Sequence, residues 1–203
     1  METLNIRLET KNDYRIVEEL TRAAFNSPAR IESSKIDCPM EHYMVHELRK
    51  KDGVMELNFV AEFERRIVGH IIYSHAYILQ PDGLKVSVLN FGPVSVCPKL
   101  QGIGIGSALI KHSIEQAKRL GHGAILFFGH AEYYPRFGFV ESKKFGITDC
   151  NGKNYPSFMA MELKANFLEN VTGRFIEADI YNDDLNREQA KVFDSLFYSG
   201  KHL

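Results

Sequence analysis

Three glycines at alternate positions, Gly102, Gly104 and Gly106, follow an apolar stretch that ends at Val96. A stretch with helical periodicity comes after them. Glycine permits a tight turn and lets the backbone approach a ligand closely. A helix that begins at such a turn presents unpaired N–H groups and the positive end of its dipole. The spacing therefore predicts an anion-binding turn, suited above all to phosphate groups.

Two common phosphate-binding loops do not fit these residues. The loop that binds nucleoside triphosphates requires Lys and then Ser or Thr after its last glycine, but Ser107 and Ala108 follow Gly106. The dinucleotide loop requires a further glycine where this chain has Ser107 or Leu109, depending on the register. The glycines therefore indicate a different class of phosphate ligand.

The segment from Gln101 to Gly106 reads Gln-x-x-Gly-x-Gly. It resembles the acetyl-CoA loop of the GCN5-related N-acetyltransferase (GNAT) superfamily. A second segment, which begins at Tyr134 within the run Tyr-Tyr-Pro-Arg-Phe-Gly-Phe, is similar to the Tyr-x-Lys/Arg-x-Gly-Phe segment of the same family. The two motifs follow each other in the family's order, and the resemblance extends over roughly residues 4–164.

The resemblance implies the GNAT fold, an α/β (α+β) architecture. Its central sheet is mixed and mostly antiparallel, splays into a V at the acetyl-CoA site and is flanked by helices. We expect residues 1–164 to form the acetyltransferase domain and residues 165–203 to form a C-terminal strand–helix extension packed on the same domain. The extension closes an edge of the core in one interpretation and forms a dimer contact in the other.

Hydrophobic periodicity predicts the individual elements. Asn12 is expected to cap a first helix, and Asn186, with Gln189 at the capping-box position, a last one. The other predicted elements are a strand over 4–8, a helix over 40–51, a hairpin over 57–63 and 67–79, a strand over 85–96, a helix over 107–120, strands over 124–128 and 157–163, a strand beginning at Val140, a short helix over 132–137 and a strand over 174–180.

The resemblance also assigns cofactor-binding residues. The backbone N–H groups of the glycine turn are expected to hold the diphosphate of acetyl-CoA, and the central strand is expected to hydrogen-bond its pantetheine arm. Tyr133 is interpreted as structural or as part of the cofactor wall, and Arg136 as a nucleotide contact or a solvated side chain. The complete set is Val94, Ser95, Val96, Gln101, Gly102, Ile103, Gly104, Ile105, Gly106, Ser107, Tyr133 and Arg136.

Acyl transfer to an amine requires a proton acceptor for the amine and a proton donor for the departing thiolate. Tyr134 falls where the family often has its general-acid tyrosine. Some members carry a glutamate on the central strand, where this chain has Asn90. An amide orients water but is not a general base, so a water chain, His130 or His75 is left to remove the proton.

Composition bounds the remaining possibilities. The chain has 203 residues, with 25 basic and 26 acidic side chains, so no net charge favours nucleic acid or a membrane. Cys38, Cys97 and Cys150 lack metal-type spacing and are interpreted as reduced thiols of a cytoplasmic protein. We expect no signal peptide, no bound metal and no nucleic-acid or membrane partner, with a homodimer left open.

The sequence therefore predicts an acetyl-CoA-dependent N-acetyltransferase that acts by direct attack in a ternary complex. Its acceptor is a primary amine of a small molecule or peptide, and the sequence does not identify it. The loop over 26–39 and the C-terminal tail are the expected acceptor-selecting regions. The alternative is a catalytically weak domain that binds acyl-CoA as a sensor or partner subunit.

Overall fold

The computed structural model of the protein describes residues 4–27 and 38–197. It contains four α-helices within those ranges: α1 (Tyr14–Phe25), α2 (Glu41–Leu48), α3 (Ile105–Arg119) and α4 (Asp183–Ser195). The strands in the same ranges are β1 (Asn5–Leu8), β2 (Phe59–Phe63), β3 (Arg66–Leu79), β4 (Lys85–Val96), β5 (Ala124–Phe128), β6 (Val140–Glu141), β7 (Ile147–Thr148), β8 (Phe158–Glu162) and β9 (Gly173–Ile176).

The strands form a mixed sheet in the hydrogen-bonded order β1-β2-β3-β4-β5-β8-β6, while β9 pairs with both β3 and β7. The β1–β2, β2–β3, β3–β9, β5–β8 and β6–β8 pairs are antiparallel, whereas β4–β5 and β7–β9 are parallel. The predicted fold class, a mostly antiparallel sheet flanked by helices, is confirmed. No described helix has the length and the apolar character needed to cross a membrane.

The chain divides into two compact units, and β3, β4 and α3 each contribute residues to both. Unit 1 comprises Met1–Ile72, Pro93–Leu109 and Asp179–Leu203, and unit 2 comprises Tyr73–Gly92 and Ile110–Ala178. Unit 1 therefore contains the glycine turn, together with α1, α2 and α4. Unit 2 contains the Tyr134 segment.

The hairpin of β2 and β3 has the predicted position, and its turn lies in unit 1. Its turn residues Glu64 and Arg65 both have positive φ, 52° and 62°. Left-handed conformations at both central positions match the twist of a two-residue hairpin turn, although non-glycine residues adopt them at some cost. The turn around Gly83, whose φ is 89°, likewise confirms the Pro-Asp-Gly signal.

A buried ionic cluster joins the helices of unit 1. Arg22 on α1 donates through Nε to Asp194 on α4, at 2.6 Å. His42 on α2 lies in the same place, with Nε2 3.2 Å from the Asp194 carboxylate. Burial lowers the pKa of His42 to about 4, so the imidazole is neutral at pH 7. Phe193 extends the contact by packing against the ring of His42.

Unit 2 has its own apolar core. Its members come from β3, β4, β5, β8, β9 and the segments around them, and they are buried to within a few per cent. Burying one large aliphatic or aromatic side chain contributes about 1.5–3 kcal/mol. The members are Ala76, Ile78, Val88, Ala124, Leu126, Ile147, Phe158, Ala160, Leu168 and Phe175.

Two predicted helix caps are wrong. Thr10, not Asn12, precedes the first helical segment and forms a capping box with Asp13, whose carboxylate accepts from the Thr10 backbone N–H at 2.7 Å. Asn182, not Asn186, caps α4, and its side chain accepts from the N–H groups of Asp184 and Leu185. The first turn of α4 carries two aspartates, whose negative charges interact favourably with the positive end of the helix dipole and stabilise the helix.

Candidate active site

The glycine turn of unit 1 has the backbone geometry that its sequence predicts. Gly102 and Gly104 have φ of 81° and 101°, values that other residues adopt only with strain. Helix α3 begins at Ile105. At its N-terminus, the Ala108 N–H donates to the Gly104 carbonyl. The turn thus delivers the chain directly into a helix N-terminus, which favours an anion.

Space beside the turn is open on the side where the glycine hydrogens point. A Cβ atom added at Gly102 or Gly104 would meet no heavy atom of the described residues within 4 Å. Neither glycine is therefore required to relieve a contact within the protein. An open, glycine-lined backbone at a helix N-terminus fits the diphosphate of coenzyme A.

Three features of unit 1 position the turn and the elements on either side of it. The Gln101 side chain donates to the Val96 carbonyl at 3.2 Å. Ser95 is 1% exposed, and its hydroxyl forms a hydrogen bond of 2.9 Å with the hydroxyl of Thr21 on α1. The side chain of Ser95 is therefore part of the buried core. Gly69 on β3 has no room for a Cβ, which would lie 2.9 Å from Leu109 and 3.3 Å from the Ser95 carbonyl. The absent side chain lets α3 pack closely on the strand.

Tyr134 lies in unit 2 within a cluster of aromatic rings. Its ring meets Phe127 edge-on at 4.5 Å and Phe91 at 5.7 Å between centroids. Gly129 faces the same ring, because a Cβ added there would lie 2.3 Å from Tyr134 Cε2. The short helix Tyr134–Phe137 ends at Gly138, whose φ is 97°. The ring is thus held from three directions.

Burial raises the pKa of Tyr134 to about 12, with a smaller contribution from Tyr133. The phenol is therefore fully protonated at pH 7, as a general acid must be. No residue that the structure describes hydrogen-bonds its hydroxyl. Arg136 stacks its guanidinium 4.4 Å from the centroid of the Tyr133 ring, so these two side chains support each other.

A carboxylate that the sequence analysis did not single out lies beside Asn90. Asn90 on β4 is 2% exposed, and its Nδ2 donates to Oε2 of Glu177 at 2.9 Å. Burial raises the pKa of Glu177 to about 7, although the hydrogen bond from Asn90 opposes the shift. The two residues are 87 positions apart in the chain. Only the fold of unit 2 brings them together.

The two histidines that the sequence suggested as bases are not buried in the way that Glu177 is. His75 on β3 and His130 after β5 are both exposed. The backbone carbonyl of His130 accepts from the N–H groups of Tyr133 and Tyr134, which gives this residue a structural role in the turn. Among the described residues, no group of three or more His, Cys, Asp or Glu side chains could hold a metal ion.

The predicted site residues therefore fall into two sets. Unit 1 contains the predicted cofactor contacts from Val94 to Ser107, in one continuous stretch of strand, turn and helix. Unit 2 contains Asn90, Tyr133, Tyr134 and Arg136, and it adds Glu177. Unit 1 has the chemistry of an anion-binding site, and unit 2 has that of an acid–base pair.

Comparisons with known sequences agree with this chemistry. The family model of the acetyltransferase (GNAT) domain matches residues 56–141. YjhQ of Escherichia coli strain K12, an uncharacterised N-acetyltransferase, is 37% identical over 103 residues, which are 50% of this chain and 51% of YjhQ. The match thus spans about half of that relative. YhbS of the same strain, also an uncharacterised N-acetyltransferase, is 26% identical over 183 residues, 90% of this chain and 98% of YhbS.

Solved structures extend the likeness to the fold. The crystal structure of YhbS from Escherichia coli in complex with CoA has a TM-score of 0.76 at 21% identity and covers 90% of this chain and 93% of that one. A GNAT family acetyltransferase from Brucella melitensis, in complex with acetyl-CoA, has a TM-score of 0.70 at 26% identity and covers 90% and 100%. Residues 56–141 therefore match the acetyltransferase (GNAT) domain, and the chain has the fold of solved GNAT family acetyltransferases.

Proposed function

We propose that this protein transfers the acetyl group of acetyl-CoA to a primary amine, by direct attack of the amine in a ternary complex. The observation that supports the proposal most strongly is the glycine turn, in which Gly102 and Gly104 adopt positive φ beside open space and lead into helix α3. Two solved relatives with this fold contain CoA or acetyl-CoA, which is consistent with a coenzyme ligand here.

In this proposal, acetyl-CoA supplies an activated thioester, and the backbone supplies most of the binding. The N–H groups of the turn hold the diphosphate. Val94 and Val96, which are half-buried on β4, present backbone groups to the pantetheine arm as a neighbouring strand would. The Val94 N–H polarises the thioester carbonyl in the manner of an oxyanion hole.

Tyr134 is proposed as the proton donor to the departing thiolate. A free thiol has a pKa near 8.5, well below the value of about 12 for this phenol, so the proton transfer is uphill. The phenol therefore acts by hydrogen-bonding the sulfur as negative charge develops, and solvent then completes the protonation. Phe91, Phe127 and Gly129 fix the ring for this role.

Calorimetry with acetyl-CoA tests the first half of the proposal. Gly104→Ala places a methyl group in the open space beside the turn and strains a φ of 101°, so we expect affinity to fall at least about tenfold. Gly83→Ala is the matched control, because Gly83 also has positive φ and open surroundings but lies in the β3–β4 turn. Equal effects of the two substitutions would contradict the assignment of the turn.

A panel of acceptors tests the second half. Purified protein is incubated with acetyl-CoA and, in separate reactions, spermidine, kanamycin, lysine or an unblocked tripeptide, and the acetylated product is measured by mass spectrometry. The proposal predicts transfer to at least one class of amine. Tight binding of acetyl-CoA without transfer to any of them would instead favour the sensor or partner subunit.

A further inference from the structure

Glu177 is a carboxylate for which the reaction above has no role. It directly follows β9, one residue beyond Ile176, which pairs with Tyr77 on β3. Its Oε2 accepts the hydrogen bond from Asn90 at 2.9 Å. Glu177 as a residue is half-buried and so keeps some contact with solvent, whereas Asn90 is 2% exposed.

The surroundings of this carboxylate are neutral among the described residues. Within residues 4–27 and 38–197, Asn90 on β4 is the one side chain that affects the pKa of Glu177, and burial is the other cause. On the paired strand β3, Tyr77 has the Lys85 ammonium 4.5 Å from its ring centroid, and His75 is exposed. Tyr77, Lys85 and His75 do not contribute to the pKa of Glu177. A carboxylate that titrates near pH 7 accepts a proton readily at the pH at which enzymes work.

The carboxylate and the phenol lie on the two faces of one strand. Asn90 and Phe91 are consecutive on β4, so their side chains point to opposite faces of the sheet. Glu177 approaches Asn90 on one face, and the Phe91 ring contacts Tyr134 on the other. A group bound along β4 would therefore meet a proton acceptor from one side and a proton donor from the other.

We propose that Glu177 is the general base of the acetyl transfer, held in place by Asn90, and that the acceptor approaches it as a primary ammonium ion. This inference rests on the proposed function. Glu177 takes one proton from the ammonium ion and passes it to solvent. The amine nitrogen then forms its bond to the acetyl carbon, and the carbon–sulfur bond breaks. A second proton leaves the nitrogen, and the thiolate takes up one proton, so that CoA leaves as the thiol. The products are the amide, CoA thiol and one released proton.

Asn90 then has a defined part in the same site. It is a positioning residue, because its amide contacts the carboxylate and is itself excluded from solvent. A glutamate at this position would put the base on the strand itself. An asparagine that donates to Glu177 instead puts the base on the segment after β9. The chain thus keeps a carboxylate beside the central strand while drawing it from another part of the sequence.

Glu177→Gln tests the proposal with almost no change in shape, and Glu177→Ala tests it by chemical rescue. We expect Glu177→Gln to lower kcat/KM for the amine about 10²–10⁴-fold, with unchanged calorimetric affinity for acetyl-CoA. The wild-type rate should rise through a limb near pH 7 that the variant lacks. Formate should restore the Glu177→Ala rate at least about tenfold, a gain that a purely structural role does not explain. Glu169→Gln, at an exposed site of unit 2, is the control and should leave both rates unchanged.

The amine used is the one in the panel above that gives the highest rate. If none is acetylated, hydrolysis of acetyl-CoA is followed with the same variants, because the same base would deprotonate water. If the wild-type protein does not bind acetyl-CoA, the proposed function is refuted. Normal binding with an unaltered rate and pH profile in Glu177→Gln, or no rescue of Glu177→Ala by formate, would refute the role of Glu177 alone.

Discussion

The desolvated carboxylate of Glu177 has a cost in stability that can be measured without any substrate. Its pKa in the folded protein is about 7, above the ordinary value of 4.5. Between these two values the folded state retains a proton that the unfolded chain releases. The free energy of unfolding must therefore fall as the pH rises from about 4.5 to 7, and the loss is complete above that range.

The magnitude follows from the pKa difference. At 1.36 kcal/mol for each pKa unit, the penalty reaches at most about 3 kcal/mol above pH 7. Glu177→Gln removes the charge and keeps an oxygen that accepts from Asn90. The variant should match the wild-type protein at pH 4.5 to 5 and exceed its stability increasingly toward pH 8. For a chain of this size, about 3 kcal/mol corresponds to roughly 6–12 °C in Tm.

Thermal unfolding of both proteins, followed by circular dichroism from pH 5 to pH 8.5, measures this difference. Glu169→Gln serves as the exposed carboxylate control, and its Tm should follow the wild-type curve throughout. A constant Tm difference between wild type and Glu177→Gln across the whole pH range would refute the reasoning. It would mean that Glu177 titrates alike in the folded and unfolded states.

Three further predictions concern the acid and the core. Tyr134→Phe should lower kcat about tenfold to a thousandfold without weakening acetyl-CoA binding, and an unchanged kcat in steady-state assays would contradict the assignment of the acid. Gly129→Ala should lower both kcat and Tm, because its Cβ would lie 2.3 Å from the Tyr134 ring; a loss of Tm alone would show that the ring position does not affect turnover. Arg49→Met leaves the buried carboxylates of Glu9 and Glu18 without their cation and should destabilise unit 1 by about 3–5 kcal/mol in urea unfolding; a change below 1 kcal/mol would contradict this.

The sequence predicted the parts of the protein whose signals are local. The strand from Lys85 to Val96 and the turn that follows are defined by apolar runs and glycines, and the structure has them where they were expected. The β2–β3 hairpin and the short helix at Tyr134 are local in the same sense. Their agreement follows from backbone preferences that neighbouring residues determine, with little help from distant contacts.

The helix caps show where local signals are ambiguous. Asn182 and Asn186 both precede helical residues, and either could cap α4 on sequence alone. In the structure, Asn186 lies within the helix and its Nδ2 donates to the carbonyls of Asp179 and Asn182 instead. A cap requires an extended backbone before the helix, and Asn182 has this conformation.

Glu177 shows what the sequence could not reveal. Glu177 falls inside the strand predicted over 174–180, and nothing in the sequence distinguishes it from a solvated side chain on such a strand. Its raised pKa arises from burial in unit 2, which outweighs the opposing hydrogen bond from Asn90 on β4. Both the burial and this contact depend on how β9 pairs with β3. The departure at Asn90 was visible in the sequence, but the carboxylate that lies beside it was not.

The position of Glu177 also matters for how this chain is read from its family match. The segment that the family model matches ends at residue 141, so it contains Asn90 and Tyr134 but not Glu177. Judged on that segment alone, the chain resembles an enzyme that has lost its base. If Glu177 is the base, as we propose, this segment alone does not decide whether the chain is an active enzyme, because the residue that follows β9 must be inspected as well.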